Sequence, residues 1–304
     1  MQLTRYQFEI MNYLQSNQNC FFDLRSISDK ICVSSALVSQ QLETLEKSGL
    51  VDLSDRIIKV TEKGLSVLEQ YRVRKAIILA AGFGSRMLPA TKDKPKPLVL
   101  VNNVRIIDTL LDALIKAEIN DIVIVTGYKG DRFNELLNKY PTIKLVNNPI
   151  FDKTNNISSI MTVLNQLDCC YICEADLYIS NPGIIRKYQY CSNILGSYSL
   201  ETDDWSFKMD KGYITEYKKG NTYCYNYYGI SYWNSEDGDK LSHDFTEVFE
   251  KEDGKDYFWE FIPLVLKHDN YKVEIRQCRK TDIMEIDNFY ELVLLDSSYK
   301  EMEK

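Results

Sequence analysis

Apolar positions in the first 72 residues recur at the spacing of short helices. Tyr6, Phe8, Ile10, Met11 and Leu14 follow a helical period, and Leu37, Val38, Leu42 and Leu45 share one helix face. Ser34 or Ser35 suits the N-cap of the helix that contains Leu37 to Leu45, and Gly49 suits its end. After an N-terminal helix, the pattern predicts helices at Leu24–Ile31 and Ser34–Lys47, strands at Leu50–Asp52 and Arg56–Val60 around a Ser54–Asp55 turn, and a helix from Thr61 to Tyr71.

From Val73 onward, buried strand patterns alternate with helical ones. This β-α-β alternation is typical of a largely parallel sheet that is covered by helices on both faces. After about residue 196, tyrosine-rich strand patterns dominate. The predicted strands are Lys75–Ala81, Asp121–Thr126, Lys144–Asn147 and Cys170–Glu174, and the predicted helices are Asp108–Ala117, Asp131–Lys139, Ser158–Gln166, Leu241–Glu250 and Phe258–Lys267.

The pattern therefore predicts two domains in the 304 residues. Residues 1–72 form a small winged helix-turn-helix, because three helices, a hairpin and a helix follow one another. Residues 73–304 form an α/β, Rossmann-like domain with a mixed, mostly parallel sheet.

Composition narrows the classes of function. Lys+Arg 37 against Asp+Glu 44 gives a net charge of −7, which disfavours nucleic acid or anionic lipid as a partner of the whole surface. No apolar run approaches the ~20 residues of a spanning helix, and the N-terminus lacks a secretory signal pattern, so we expect a cytoplasmic protein. With only two histidines, the chemistry is expected to rely on metal, Lys/Arg and carboxylate groups.

A glycine loop follows the first predicted strand of the second domain. Its G-x-G at Gly82 and Gly84 is not a dinucleotide fingerprint, because Met87 takes the third glycine position and Pro89 interrupts the following helix. A Walker G-K-[ST] sequence is also absent. Instead, Arg86 and three lysines at 92, 94 and 96 follow closely, which predicts a loop that binds phosphate oxygens.

The sequence around this loop resembles the nucleotidyltransferase family. The matching segments are KAIILAAGFGSRM at 75–87, KPKPLV at 94–99, VTGY at 125–128, NNISS at 155–159, EAD at 174–176 and EID at 285–287. Together they resemble the bacterial CTP:phosphocholine cytidylyltransferases over residues 74–295. The resemblance implies a Mg²⁺-dependent transfer of CMP from CTP to phosphocholine, which yields CDP-choline and pyrophosphate.

Under this resemblance, four residues are expected to be catalytic. Arg86 fits the β- and γ-phosphates, and Lys96 fits the attacking phosphate or the α-phosphate. Asp176 and Asp287 fit the Mg²⁺ ligands, since each follows or ends a strand-like run, and Glu174 is a rival ligand on the same strand face. The residues implied in nucleotide binding are Leu79, Ala80, Ala81, Gly82, Gly84, Ser85, Arg86, Lys96, Gly127, Tyr128, Asn155 and Ser159.

A quaternary ammonium group needs aromatic faces and a nearby carboxylate. The resemblance implies an acceptor pocket at Trp205, Tyr257, Trp259 and Glu260, because Asp204-Trp205 and Tyr257-Phe-Trp-Glu260 match the acceptor-side segments of the family. The family pattern of Tyr-Trp-Asp is Phe258-Trp-Glu260 here, and with the longer acid the resemblance does not fix the size of the pocket. Phosphoethanolamine or 2-aminoethylphosphonate would want a smaller, more polar pocket. A sugar-1-phosphate nucleotidyltransferase is a further alternative.

The stretches LETLEKSGLV at 42–51 and IIKVTEKG at 57–64 resemble the MarR-like regulators. However, residues 1–74 hold nine basic and nine acidic side chains, whereas DNA-binding modules usually show a basic patch. We therefore expect this domain to mediate homodimer contact or regulation, with nucleic acid a less favoured partner. The alternative is a transcriptional regulator that uses its transferase domain as a nucleotide sensor.

Overall fold

The chain divides into two units, which a computed structural model describes over residues 2–17, 24–54 and 58–303. The first unit comprises Met1–Arg72 together with Tyr188–Tyr190, and the second comprises Val73–Lys187 and Cys191–Lys304. Within the described residues, no helix has both the length and the apolar character needed to cross a lipid bilayer.

The first unit is helical, with one small hairpin. Thr4, Ser34 and Thr61 each cap a helix by accepting a hydrogen bond from a backbone N–H of its first turn, which explains where these helices begin. The predicted Ser54–Asp55 turn and the predicted strand start at Arg56 fall partly on residues outside the described ranges. The elements are α1 (Arg5–Ser16), α2 (Leu24–Ile31), α3 (Ser35–Lys47), β1 (Val51–Asp52), β2 (Lys59–Val60) and α4 (Glu62–Leu68).

The core of this first unit includes side chains from far along the chain. Tyr188 is 1% exposed, and its hydroxyl donates to Glu69 at 2.6 Å. Tyr190 stacks on Tyr71 with ring centroids 5.7 Å apart, and its hydroxyl donates to the Leu3 carbonyl at 3.2 Å. The sequence pattern assigned residues 188–190 to the second domain, because nothing local marks their packing partners.

The second unit is built on a seven-stranded sheet. The strands of this unit are β3 (Lys75–Ala80), β4 (Leu100–Val101), β5 (Val104–Arg105), β6 (Asp121–Thr126), β7 (Lys144–Asn147), β8 (Cys170–Glu174), β9 (Leu177–Ile179), β10 (Asn193–Asp210), β11 (Tyr213–Trp233), β12 (Glu274–Gln277) and β13 (Ile283–Glu285). The sheet order is β10-β12-β11-β8-β3-β6-β7. The predicted α/β architecture with a mixed, mostly parallel sheet is confirmed: β3 pairs in parallel with β6 and β8, and β11 pairs antiparallel with β8.

Among the described residues, four α-helices accompany this sheet, and two large apolar cores pack against it. The helices are α5 (Ile106–Lys116), α6 (Ile157–Met161), α7 (Ser235–Phe249) and α8 (Phe289–Leu295). Because β3, β6 and β8 run parallel, their carboxyl ends meet at one edge of the sheet. The glycine loop, Gly127 and Glu174 follow or end these strands there.

Three predicted helices are shorter or of another type. Residues 130–138 form a 3₁₀ helix. The helix predicted at Ser158–Gln166 ends at Met161, where the Thr162 hydroxyl donates to the Ser159 carbonyl and competes with the helical pattern. In the predicted Phe258–Lys267 helix only Ile262–Leu266 is helical, as a π-type turn, because Pro263 supplies no N–H.

Candidate active site

The glycine loop after β3 folds back onto the segment that carries Lys96. Gly84 has a left-handed backbone, with φ +62°, and a Cβ there would lie 2.9 Å from Lys96 Cβ. The Thr91 hydroxyl donates to the Gly84 carbonyl at 2.9 Å and fixes the turn. Glycine at this position therefore permits both the conformation and the close approach.

Lys96 lies at the centre of a charged network. Its Nζ is 2.7 Å from Asp176 Oδ2 and 3.3 Å from Asp287 Oδ1. Burial alone would lower the pKa of Lys96, but the charges and hydrogen bond of these carboxylates outweigh it and raise the pKa above the ordinary lysine value. Lys96 is consequently a fixed, permanently charged cation.

Arg86 joins the same network from the glycine loop. Its guanidinium forks onto Asp287, with distances of 3.2 and 2.9 Å to the two carboxylate oxygens. The arginine is 70% exposed in its side chain, whereas Asp287 is 22% exposed. Arg86 can therefore turn toward an incoming anion, and the fork geometry suits phosphate as well as carboxylate.

A second set of acids lies beside Asp176. Oxygens of Glu174, Asp176 and Glu285 all lie within 4.8 Å of one another. Burial first, and then the neighbouring carboxylates, raise the pKa of Glu174 and of Glu285 well above the ordinary glutamate value. Such a group of like charges is relieved by a cation in its midst.

The donors fit a hard divalent cation. Asp176 Oδ1 is buried without a hydrogen-bond partner among the described residues, although Asp176 Oδ2 binds Lys96. Carboxylate oxygens of this kind are the ligands that Mg²⁺ and similar ions prefer. Asp176 and Asp287 could both contribute, with Glu285 close by, provided that Arg86 releases Asp287.

These groups line one cavity of about 590 Å³. We call the part formed by Gly82–Arg86, Lys96, Asp176 and Asp287 the phosphate-loop end, and the part formed by Trp205, Tyr227, Phe258 and Glu260 the aromatic end. The cavity brings together most of the sequence-predicted site residues. They are Leu79, Ala80, Ala81, Gly82, Gly84, Ser85, Arg86, Lys96, Asn155, Ser159, Asp176, Trp205, Glu260 and Asp287.

Gly127 and Tyr128 are not among the lining residues, although the motif resemblance placed them at the nucleotide. The Tyr128 N–H donates to the Ala81 carbonyl at 3.1 Å. A Cβ on Gly127 would lie 2.6 Å from Phe151 Cγ and 2.8 Å from the Ala81 carbonyl oxygen. Both residues therefore shape the glycine loop from behind.

The predicted acceptor pocket also needs a correction. Trp259 is 1% exposed and packs against Trp233 and Phe245 in the core, so its ring cannot form a cavity wall. Tyr257 stacks on Phe261 and does not line the cavity. Phe258 lines it in their place and is 41% exposed. The family resemblance implied Tyr257 and Trp259 from a matching segment, and such a match does not show which side chains of the segment face the cavity.

Glu260 and Trp205 both line the aromatic end of the cavity, with partners that the sequence did not reveal. Glu260 is 4% exposed and accepts a hydrogen bond from the Tyr217 hydroxyl at 3.3 Å. Burial raises the pKa of Glu260 to about 7. Trp205 stacks on the Tyr217 ring with centroids 4.9 Å apart.

Several cavity residues were missed in the sequence. Glu285 had a usable signal, because it stands two positions before Asp287 on a strand-like run and so shares its face. Tyr227 had none, since only the pairing of β11 with β8 and β10 brings it to the cavity. Tyr217, which does not line the cavity but contacts Glu260 and Trp205, had none either. Phe83 and Phe151 pack against each other at the cavity wall, with centroids 5.3 Å apart, and likewise belong to separate loops.

Comparison with known proteins agrees with this geometry. The family model described as nucleotidyl transferase matches residues 75–179. A 2-aminoethylphosphonate cytidylyltransferase of Lancefieldella rimae is 35% identical over 229 residues, which are 74% of this chain and 92% of that protein. A choline-phosphate cytidylyltransferase of Streptococcus pneumoniae is 29% identical over 235 residues, which are 74% and 98% of the two chains.

A solved structure is also similar. The CTP:phosphocholine cytidylyltransferase from Streptococcus pneumoniae superposes with a TM-score of 0.69 at 27% identity, and the match covers 77% of this chain and 100% of the other. The chain therefore belongs to the nucleotidyltransferase family.

Proposed function

We propose that this nucleotidyltransferase transfers CMP from CTP to a small phosphate or phosphonate that carries an amino or ammonium group. The products are the cytidylylated acceptor and pyrophosphate. The observation that carries the proposal is the position of Lys96, held between Asp176 and Asp287 at the glycine loop. This cation belongs to a single cavity whose other end is aromatic and acidic.

The reaction needs charge compensation more than proton transfer. An oxygen of the acceptor attacks the α-phosphorus of CTP, the bond from that phosphorus to the bridging oxygen breaks, and pyrophosphate leaves with the electron pair. A phosphomonoester has a second pKa near ~6 and is already largely a dianion at neutral pH, so no general base is required. In agreement, neither histidine lines the described cavity.

The chain's own groups divide this task. Backbone N–H groups of the glycine loop and the Arg86 fork bind the β- and γ-phosphates, and Lys96 offsets charge on the α-phosphate and the attacking oxygen. In the structure both cations are paired with carboxylates. We infer that substrate phosphates replace Asp287 as the partner of Arg86, which frees the Asp287 oxygens.

We propose that Mg²⁺ binds at Asp176 and Asp287, whose oxygens meet at Lys96. When bound, the ion neutralises phosphate charge and polarises the α-phosphoryl group. The unpartnered Oδ1 of Asp176 supports this assignment.

The aromatic end supports a cationic acceptor over a sugar phosphate. Glu260 and Glu174 bring carboxyl groups whose negative charge a bound cation would stabilise, and Trp205 and Phe258 bring aromatic faces that attract cations. A neutral sugar ring would need several polar partners instead. Phosphocholine, phosphoethanolamine and 2-aminoethylphosphonate all fit this description of the acceptor.

The test is a turnover assay with purified full-length protein. CTP, Mg²⁺ and each acceptor in turn are supplied, and pyrophosphate release and the cytidylylated product are measured by ³¹P NMR. We expect CTP to be favoured over UTP and amine-bearing acceptors over glucose-1-phosphate. Transfer to sugar phosphates alone, or none to any amine-bearing acceptor, would refute the proposal.

A further inference from the structure

Two tyrosine–glutamate pairs lie next to each other at the aromatic end. The Tyr217 hydroxyl donates to Glu260 Oε1 at 3.3 Å, and the Tyr227 hydroxyl donates to Glu174 Oε1 at 3.3 Å. The two tyrosine rings contact each other at right-angled geometry, with centroids 5.6 Å apart. Each tyrosine thus fixes one oxygen of its glutamate and leaves the other oxygen for a different partner.

The position of Glu174 depends on Gly229. Ile230 of β11 pairs with Cys173 of β8, so Gly229 stands opposite Glu174 across the antiparallel ladder. A Cβ on Gly229 would lie 2.5 Å from Glu174 Oε2 and from its Cδ. The carboxylate therefore rests in the space that a side chain would otherwise fill, and both Glu174 and Glu260 line the cavity.

One carboxylate oxygen of Glu260 lacks a hydrogen bond within the described residues. Its Oε2 is buried and accepts no hydrogen bond within 3.5 Å in the described part of the chain, and the residue is 4% exposed. The Asn156 side chain is a nearby hydrogen-bond donor that lowers the pKa of Glu260, but it does not outweigh the effect of burial. A buried carboxylate oxygen is stabilised by an N–H or O–H donor and destabilised without one. Because Glu260 lines the cavity, a ligand that binds there can supply such a donor.

We propose that Glu174 and Glu260 form a cradle for a primary ammonium group, so that the acceptor is a primary aminoalkyl phosphate or phosphonate. This inference rests on the proposed function and narrows it. A primary ammonium carries three N–H donors, which can satisfy Glu260 Oε2 and Glu174 together. A quaternary ammonium carries none and leaves Oε2 unpaired.

The aromatic walls do not make this distinction. Trp205 and Phe258 can attract either kind of cation through their ring faces. The hydrogen-bonding capacity of the two glutamates is what separates the two classes, and Gly229 is the positioning residue that keeps the second glutamate in place.

The first experiment uses a series of acceptors that share one phosphate and spacer: phosphoethanolamine, its N-methyl and N,N-dimethyl derivatives, and phosphocholine. 2-Aminoethylphosphonate is included because it carries the same primary amine on a phosphonate, so its comparison with phosphoethanolamine shows the effect of the phosphate ester oxygen. We expect kcat/KM to fall as methyl groups replace N–H donors, by about 10- to 100-fold from the primary amine to phosphocholine. A preference for phosphocholine in an enzyme that does transfer CMP overturns the cradle and leaves the proposed function intact.

The second experiment uses variants. Glu260→Gln and Gly229→Ala should each raise KM for the primary amine while KM for CTP changes little, and Glu174→Asp should partly rescue Gly229→Ala because the shorter acid avoids the new Cβ. Glu216→Gln is the matched control, since Glu216 lies on β11 with Lys218 as its partner and outside the cavity. Melting temperatures check that the variants fold, and no rescue of a folded Gly229→Ala protein contradicts the positioning role.

If no CMP transfer is observed, the proposed function is refuted. The third experiment then tests the ammonium cradle separately, without relying on turnover. Calorimetry of 2-aminoethylphosphonate and phosphocholine then measures binding directly, with wild type and Glu260→Gln. Tighter binding of the primary amine that is lost in Glu260→Gln supports the cradle. Equal binding of both compounds, or no effect of the variant, overturns it.

Discussion

At the phosphate-loop end of the cavity, the functional groups are charged side chains on short loops. At the aromatic end they are rings on the long strands β10 and β11, together with Phe258 and the buried acid Glu260 from a separate segment. Arg86 and Lys96 each contact carboxylates directly and are held by ion pairs. Glu260 and Trp205 are held by tyrosine hydroxyls and ring stacking. The first end is therefore organised by charge, and the second by packing and single hydrogen bonds.

This difference predicts different consequences of mutation. Where opposite charges are matched to a reacting phosphate, loss of one group removes stabilisation of the transition state itself. Where a ring or an acid holds the remote part of a substrate, loss affects binding and choice of acceptor more than the chemical step. The predictions below test that contrast, beginning with the largest effect.

Asp176→Asn removes one charge from the phosphate-loop end with almost no change of shape. We expect kcat to fall by ~10²–10³, because phosphate charge is left uncompensated and Lys96 loses its shorter ion pair. Steady-state kinetics over a range of Mg²⁺ concentrations measure this. Asp121→Asn, on the surface beside Lys144, is the control and should keep full activity. Near-normal Mg²⁺-dependent turnover in Asp176→Asn would show that charge at the phosphate-loop end does not control the chemical step.

Glu260→Gln tests the burial of charge at the aromatic end through protein stability. The pKa of Glu260 is raised to about 7 in the folded chain, from 4.5. An acid whose pKa is higher in the folded than in the unfolded chain contributes most to the free energy of unfolding below its unfolded pKa. This contribution is lost as the pH rises to the pKa of the folded state. Wild type should therefore lose about 1–3 kcal/mol relative to Glu260→Gln between pH 4.5 and pH 7.5.

Denaturant melts of both proteins at several pH values give this difference. Glu174 and Glu285 titrate in both proteins, so only the difference between the two curves is informative. Parallel curves across the range would show that Glu260 is solvated in the folded protein.

Trp205→Ala is expected to have the smallest effect. Losing the cation–π face should weaken acceptor binding by about 0.5–2 kcal/mol and leave kcat at saturation and KM for CTP nearly unchanged. The matched variant is Trp259→Phe, which should lower the melting temperature through the core but keep the acceptor preference. If Trp259→Phe changed the preference and Trp205→Ala did not, the assignment of cavity walls would be reversed.

The same contrast explains what the sequence could predict. The glycine loop, Lys96, Asp176 and Asp287 lie in short segments whose chemistry is visible locally, and the cavity contains all of them. Alternation of strands and helices also predicted the parallel part of the sheet, because its central strands β3, β6 and β8 have mostly buried, regular patterns.

The aromatic end was harder to predict because its contacts are remote in sequence. Tyr217 reaches Glu260 across 43 positions, and Tyr227 reaches Glu174 across 53. Nothing around Trp259 distinguishes a cavity wall from a core residue, since an aromatic residue before an acid fits both. Pro263 did carry a signal against the predicted Phe258–Lys267 helix, through its missing N–H.

The first unit has a consequence for how the protein is made. Its core uses Tyr188 and Tyr190, which are translated more than one hundred residues after Arg72. Domains generally fold in order as the chain emerges from the ribosome. Here four of the seven sheet strands, β3, β6, β7 and β8, are synthesised before the last core side chains of the N-terminal unit arrive. This unit therefore cannot complete its core until part of the second unit has left the ribosome.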